Sequence, residues 1–160
     1  MKVHIRKAVK SDAESILSLI HELAVFEKEP EAVIVTKTQI EQDGFGGRPL
    51  FECILAEVAD KAVGMALFYP RYSTWKGPTF HLEDLIVTES MKGKGIGTKL
   101  YKAFLSHADS LGVDRVEWVV LDWNTTAIQF YEKSGAKVLS DWNIVQMDRS
   151  SIKNYILENK

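Results

Sequence analysis

Three alternate glycines, Gly93, Gly95 and Gly97, stand directly before a run of residues in which apolar side chains recur at helical spacing. Glycine has no side chain, so a ligand can closely approach the backbone N–H groups of such a segment. The start of the following helix adds N–H groups and the positive end of the helix dipole. With the charges of Lys92 and Lys94, the segment predicts a binding site for a phosphate or pyrophosphate.

Two familiar phosphate-binding loops do not match this segment. A P-loop ends in Gly-Lys-Ser or Gly-Lys-Thr after four spacer residues, and that ending is missing here. The dinucleotide fingerprint needs a glycine where this chain has Thr98 or Leu100. A flexible turn before a helix remains the alternative interpretation of the glycines taken alone.

Two adjacent acids, Glu83 and Asp84, interrupt an apolar strand pattern. A carboxyl group in apolar surroundings holds a proton more readily than one in water, which suits a general base working near neutral pH. Acids within an apolar strand are unusual, although a solvated pair on a strand edge remains possible. In a regular strand, the two side chains would point to opposite faces of the sheet.

A tyrosine offers a proton donor further along the chain. Tyr131 follows Asn124 by two helical turns and shares a helix face with Ala127 and Ile128. Its hydroxyl can act as an acid, but a core aromatic with a hydrogen-bonded hydroxyl is the alternative. Asn124 equally fits an ordinary helix cap.

Hydrophobic periodicity and turn residues predict the elements that position these groups. The predicted strands cover residues 2–8, 51–59, 62–70, 79–88, 115–121, 136–139 and 143–148, the last two as a closing hairpin. The predicted helices cover residues 11–27 after a capping box of Ser11 and Glu14, residues 36–44 after a cap at Thr36, residues 93–112 and residues 124–133. This order predicts an α/β fold whose fourth and fifth strands are parallel and joined through a helix.

The composition bounds the class of protein. A chain of 160 residues with 46% hydrophobic and 26% charged residues predicts a single domain over residues 1–160. A net charge of −2 gives no support for nucleic-acid binding, and one cysteine and four scattered histidines predict no disulfide and no metal site. The charged start and the short apolar stretches predict a cytoplasmic protein with no membrane partner.

The glycine segment and the tyrosine segment resemble two motifs of the GNAT N-acetyltransferase family. Lys92-x-x-Gly95-x-Gly97, after the strand at 82–87, resembles the family's acetyl-CoA loop, although the family usually has Arg or Gln at the lysine. Residues 123–136, Trp-Asn-x-x-Ala-x-x-Phe-Tyr-x-x-x-Gly-Ala, resemble its second motif. The resemblance implies the GNAT acyl-CoA N-acyltransferase fold, a mixed and mostly antiparallel sheet flanked by helices, with a splayed parallel pair of strands at its centre.

Residues 43–46, 72–77, 82–84 and 121–124 resemble the spermidine/spermine (diamine) acetyltransferase subfamily, most closely its thialysine N-epsilon-acetyltransferase branch. This implies acetyl transfer from acetyl-CoA to the primary amine of a small substrate, thialysine or a lysine-like amino acid. The alternatives are a polyamine or diamine acceptor, a protein amine, or a module that binds acyl-CoA without catalysis. The subfamily and the apolar residues at 142–149 suggest a homodimer.

The resemblance also implies roles for individual residues. Glu83 acts as the base through an ordered water or binds the substrate ammonium, Tyr131 protonates the departing thiolate, and a bulge turns Glu83 and Asp84 into one cleft. The expected cofactor-binding residues are Leu85, Ile86, Val87, Lys92, Gly93, Lys94, Gly95, Ile96, Gly97, Thr98, Asn124, Ala127, Tyr131 and Lys133. The expected substrate-binding residues are Glu27, Ser73, Trp75, Glu83 and Asp84, because acids and a tryptophan face can hold an ammonium.

Overall fold

The computed structural model describes residues 1–158, which fall into two compact units, residues 1–119 and the residues from Val120 onward. The first unit contains the strands β1 (His4–Lys7), β2 (Glu52–Val58), β3 (Lys61–Ser73), β4 (Gly77–Val87) and β5 (Val116–Glu117). Its helices are α1 (Ala13–Phe26), α2 (Lys37–Phe45) and α3 (Ile96–Ser110), with single 3-10 turns at Lys10–Asp12, Pro30–Ala32 and Glu89–Met91. Among the described residues, no helix has the length and apolar character needed to cross a membrane.

The five strands lie in chain order across one sheet. β1 to β4 pair antiparallel, and β5 lies parallel to β4 after the connection through α3. Only Phe80 and His81 of β4 pair with β5, because β5 ends at Glu117, whereas β4 continues to Val87. The predicted α/β fold with a mixed, mostly antiparallel sheet that includes one parallel pair of strands is confirmed.

Strand alternation gives the sheet two apolar faces. On one face, Met65 of β3 lies in a core with Ile16 of α1. On the other face, Phe68 of β3 contacts the ring of Phe80 edge-on, with 5.4 Å between centroids, and the ring of Phe104 of α3 at 5.0 Å. Burial of one large apolar side chain contributes about 1.5–3 kcal/mol, so these contacts hold α1 and α3 on opposite faces of the sheet.

The helix starts in the first unit differ in how well they are predicted. The cap at Thr36 is confirmed, because Gln39 N donates to Thr36 Oγ1 at 3.3 Å and Thr36 N donates to Gln39 Oε1 at 2.8 Å. The capping box predicted at Ser11 and Glu14 is wrong, because Asp12 is the residue that precedes α1. Arg6 of β1 donates to both oxygens of Asp12, at 2.7 and 2.9 Å, and such charge-assisted hydrogen bonds are stronger than those of a serine hydroxyl.

The second unit contains the helices α4 (Thr125–Lys133) and α5 (Arg149–Glu158). The hairpin predicted over residues 136–139 and 143–148 is wrong, because neither segment forms a strand. A strand needs a neighbour to take its backbone hydrogen bonds, and neither segment pairs with a strand within residues 1–158. Instead, Asp148 Oδ1 accepts from Ser151 N at 2.7 Å and caps α5, for which the sequence pattern gave no prediction.

The missing hairpin explains two further differences in the sheet. The strand predicted over residues 115–121 is only two residues long, Val116–Glu117. The parallel pair was expected at the centre of the sheet, but β5 is its edge strand, because no strand of the described chain pairs with the outer side of β5.

Candidate active site

The two acids of β4 lie at a β-bulge, as the family resemblance implied. Leu67 of β3 pairs with Asp84, but the next residue, Phe68, pairs with Leu82. Glu83 is therefore an extra residue without a partner on β3, and such a residue inverts the alternation of the strand that carries it.

The inversion is visible in the packing on either side of the bulge. Phe80, before the bulge, packs with the aromatic side chains on the α3 face, whereas Ile86, after it, belongs to the core with α1. Asp84 is turned to the α1 face with Ile86, although it has the same parity as Phe80. The bulge thus brings Asp84 to the side of the sheet where α1 ends.

A cleft of about 180 Å³ opens on this side, between the end of α1 and the turn Pro30–Ala32. Its lining residues are Ile20, Leu23, Ala24, Glu27, Glu29, Ala32, Val33 and Asp84. Three of these side chains are acidic and none of them is basic. The cleft therefore favours a cation with a short apolar stem.

The carboxylate forms of the acids in this region are destabilised by burial and by their mutual repulsion. Burial, together with the charges of Glu83 and Glu27, raises the pKa of Asp84 to about 7. Burial also raises the pKa of Glu27, with a smaller contribution from the charge of Glu83. An ammonium group entering the cleft would relieve this repulsion, because its positive charge stabilises the ionised carboxylates.

Glu83 has two aromatic neighbours. Tyr69 Oη donates a hydrogen bond to Glu83 Oε2 at 3.0 Å, and His81 Nε2 lies 3.6 Å from the same oxygen. Burial lowers the pKa of His81 and raises that of Tyr69 to about 12, so near pH 7 the imidazole is neutral and the phenol keeps its proton. Neither residue could be recognised from the sequence pattern, because only the pairing register of β3 and β4 shows that they lie near the bulge.

The three glycines at the start of α3, of which Gly97 lies in its first turn, differ in the backbone conformation that the fold requires. Gly93 and Gly95 both have φ of +74°, in the left-handed region that favours glycine. Gly97 has no such constraint, and a Cβ there would meet only Val87 Cγ2, at 3.7 Å. The fold would accept a side chain at Gly97, so the space there fits a ligand group lying against the first turn of α3.

The two lysines of the loop are engaged within the loop region. Lys92 Nζ lies 2.6 Å from Glu89 Oε2 and 4.5 Å from the ring centroid of Phe26. Lys94 Nζ donates to the carbonyl oxygen of Ser90 at 3.0 Å. Both lysines therefore brace the loop, and their predicted contact with a cofactor stays a prediction.

The edge of β4 beside the loop has no paired strand within the first unit. Leu85, Ile86 and Val87 pair with β3 on one side, while β5 ends its pairing at His81. The other side of these three residues therefore faces no strand of the first unit. An amide-bearing chain can bind such an edge as an added strand.

Ser73 and Trp75 occupy the tip of the β3–β4 hairpin. Ser73 Oγ accepts from Trp75 N and from Lys76 N, at 3.2 Å each, and Trp75 is 80% exposed. Neither is among the residues that line the acidic cleft. Of the predicted substrate set, Glu27 and Asp84 line the cleft, and Glu83 lies outside its lining but close enough to raise the pKa of both. Glu29 also lines the cleft and was not predicted, because the turn that carries it has no periodic pattern.

The second unit carries the remaining predicted residues on and beside α4. Asn124 Oδ1 accepts from Ala127 N at 3.2 Å, so Asn124 is the cap of this helix. Tyr131 is buried, with its ring 5.4 Å from that of Phe130, and Lys133 is the last residue of the helix.

Comparisons with known proteins agree with this fold. The model of the acetyltransferase (GNAT) family matches residues 14–136. A thialysine N-epsilon-acetyltransferase of Bos taurus is 35% identical over 94% of this chain and 95% of its own. A spermidine/spermine N(1)-acetyltransferase-like protein of Homo sapiens is 35% identical over 92% of this chain and 23% of its own. An integron cassette protein from V. cholerae superposes with a TM-score of 0.80 at 22% identity, covering 98% of both chains.

The chain belongs to the acetyltransferase (GNAT) family. It is an N-acetyltransferase, and acetyl-CoA is the acyl donor of this family. Within residues 1–158, no group of three or more His, Cys, Asp or Glu side chains is arranged to hold a metal ion.

The raised pKa of Asp84 predicts how the free energy of unfolding changes with pH. Because this pKa is about 7 in the folded chain against an ordinary 3.8, the folded state binds more protons between these two values. The contribution of Asp84 to stability should therefore fall as pH rises from about 4 to about 7. Asp84→Asn should flatten this slope and raise the free energy of unfolding at pH 8 by up to about 4 kcal/mol.

Urea denaturation at several pH values measures this effect. Asp109→Asn, at an exposed position of α3, is the matched control and should keep the wild-type slope. An Asp84→Asn variant with an unchanged slope would show that Asp84 ionises as it does in the unfolded chain.

Proposed function

We propose that this enzyme acetylates the primary amine of a small lysine-like substrate such as thialysine. The acidic cleft of Glu27, Glu29 and Asp84, next to Glu83 at the bulge, is the observation that carries the proposal. An ammonium on a short alkyl chain matches its charge and its apolar wall. The thialysine N-epsilon-acetyltransferases among the relatives support the same substrate class.

A polyamine or diamine is the second candidate acceptor. The residues that line the cleft include no basic side chain, so the cleft itself offers no partner to the α-carboxylate of an amino acid. A diamine carries only positive charge and needs no such partner. The spermidine/spermine acetyltransferase-like relative is consistent with this alternative.

Acetyl-CoA fits the residues before α3 and along β4. We assign its pyrophosphate to the backbone N–H groups of residues 93–98, with Lys92 and Lys94 nearby, and its amide-bearing arm to the open edge at Leu85, Ile86 and Val87. Asn124, Ala127, Tyr131 and Lys133 complete the proposed binding set. When bound, the cofactor supplies an acetyl group activated as a thioester.

Side chains of the protein accept and donate the protons of the reaction. Asp84 and Glu27 pair with the substrate ammonium, and Glu83 accepts its proton, directly or through a water, which leaves a nucleophilic amine. Backbone N–H groups of Leu85–Val87 donate to the oxygen on which negative charge develops. Tyr131 holds a proton at Oη for the departing sulfur.

We also propose that residues 1–160 act as one domain in a cytoplasmic homodimer. The segment at 142–149 supports the dimer, because Trp142, Ile144, Val145 and Met147 are all more than half exposed. A second copy of the chain is the occupant that would bury these apolar side chains. The free, buried Cys53 suits a reducing compartment.

A screen of amines tests the proposed substrate class. Consumption of acetyl-CoA with thialysine, lysine, spermidine, spermine and a peptide amine should give the highest kcat/KM for thialysine or lysine. Glu27→Gln should raise the KM for the preferred amine, with Glu14→Gln, on the exposed side of α1, as the control. Higher kcat/KM for spermidine would favour the second candidate, and no turnover with any amine would favour a binding module.

The cofactor assignment is tested at Gly97. Gly97→Asp adds a negative charge where the pyrophosphate should lie, while the fold has room for the side chain. We expect at least about tenfold weaker binding of acetyl-CoA by calorimetry, with an unchanged Tm. Gly47→Asp, at another open glycine with an ordinary φ, is the control, and equal affinities in both variants would refute the assignment.

Tyr131→Phe tests the proposed acid. The variant keeps the ring and loses one hydroxyl, so kcat and kcat/KM should fall together by about 100-fold or more, with acetyl-CoA affinity nearly unchanged. An acetyl thioester of a more acidic thiol should rescue this variant more than it accelerates the parent. Tyr155→Phe in α5 is the control; wild-type turnover of Tyr131→Phe would remove the residue from the mechanism.

A further inference from the structure

The pair Tyr69 and His81 lies close to the bulge, and the pair Phe68 and Leu82 lies between that pair and the bulge. The two residues Tyr69 and His81 are register partners across β3 and β4, and His81 lies two residues before Glu83 in β4. Their rings stack, with 5.2 Å between centroids and 27° between planes. The stack fixes the direction of the Tyr69 hydroxyl, which points to Glu83.

The contacts of Glu83 fall on one of its two oxygens. Tyr69 Oη donates to Oε2 at 3.0 Å, and His81 Nε2 is 3.6 Å from that same oxygen. The Glu83 side chain is otherwise half exposed, at 52%, on a residue that has no register partner. Without a fixed donor, such a side chain would sample several rotamers.

We propose that Tyr69 is a positioning residue, whose hydroxyl holds Oε2 of Glu83 so that Oε1 faces the substrate proton. The inference rests on the base role given to Glu83 in the proposed function. Tyr69 does not touch the reacting atoms in this scheme. It acts by restricting the carboxylate to one orientation, which is the state that catalysis uses.

A double-mutant cycle separates this role from simple packing. Tyr69→Phe keeps the ring stack and removes the donor, so we expect kcat/KM to fall by about 10- to 100-fold, the range for loss of one hydrogen bond to a charged group. The kcat/KM of Glu83→Gln should fall by at least the same factor. The double variant should be no worse than Glu83→Gln alone, because Tyr69 acts only through the carboxylate.

The kcat/KM values of the cycle are measured with acetyl-CoA and thialysine, and in parallel with acetyl-CoA and spermidine. The Tm and the acetyl-CoA affinity are measured as well, and neither should change in Tyr69→Phe. Tyr72→Phe, an exposed tyrosine on the same strand, is the matched control and should behave as wild type. His81→Phe preserves the stack and should retain most activity. A loss in His81→Phe equal to that in Tyr69→Phe would assign the effect to the imidazole and overturn the proposal.

The remaining outcomes are also decisive. If Glu83→Gln loses activity while Tyr69→Phe does not, or if the two losses multiply in the double variant, the positioning role is refuted and the proposed function stands. If Glu83→Gln is as active as wild type, the base role of Glu83 fails, and the role of Tyr69 fails with it.

Discussion

The register slip at Glu83 is the constraint on which the acidic cleft depends. Phe80 is locked before the slip by its packing with Phe68 on the α3 face, and Ile86 is locked after it in the core with α1. With both ends fixed, the strand must carry one unpaired residue between them. If the strand were regular, Asp84 would turn into the aromatic core beside α3, on the opposite side of the sheet from the cleft. The two cores on opposite faces of the sheet therefore determine where the carboxylates point.

Helix α1 then connects the cleft to the glycine loop within the first unit. Its last turns carry residues that line the cleft, and Glu22, within the same turns, accepts hydrogen bonds from Thr88 Oγ1 at 2.7 Å and Glu89 N at 2.8 Å. Phe26 lies under the ammonium of Lys92. One helix thus holds both the end of β4 and the start of the loop. The proposed amine-binding cleft and the proposed cofactor loop are positioned by the same element.

How far the sequence predicts this arrangement depends on the range of each interaction. The cap at Thr36 and the turn glycines before α3 are local signals, so the sequence predicts them directly. The bulge is a product of pairing between strands that meet through tertiary packing. The family resemblance implied the bulge, whereas strand alternation alone predicted only that Glu83 and Asp84 point to opposite faces of the sheet. The same dependence on pairing explains the failed hairpin at 136–148, where alternation was present and a partner strand was not.

Two clusters of acids in the first unit show what distinguishes a structural carboxylate from the carboxylates of the cleft. At the start of the sheet, Asp12 and Glu57 both receive hydrogen bonds from Arg6, which lowers the pKa of each carboxyl. In the cleft, burial and neighbouring acids raise the pKa of Asp84 and of Glu27, and no basic side chain lines the cleft to offset them. The first arrangement stabilises the fold by itself, whereas the second is unfavourable until a cation enters. An amine substrate is such a cation, so in the proposed function the mutual repulsion of these acids becomes selectivity for a charged amine over a neutral molecule of the same shape.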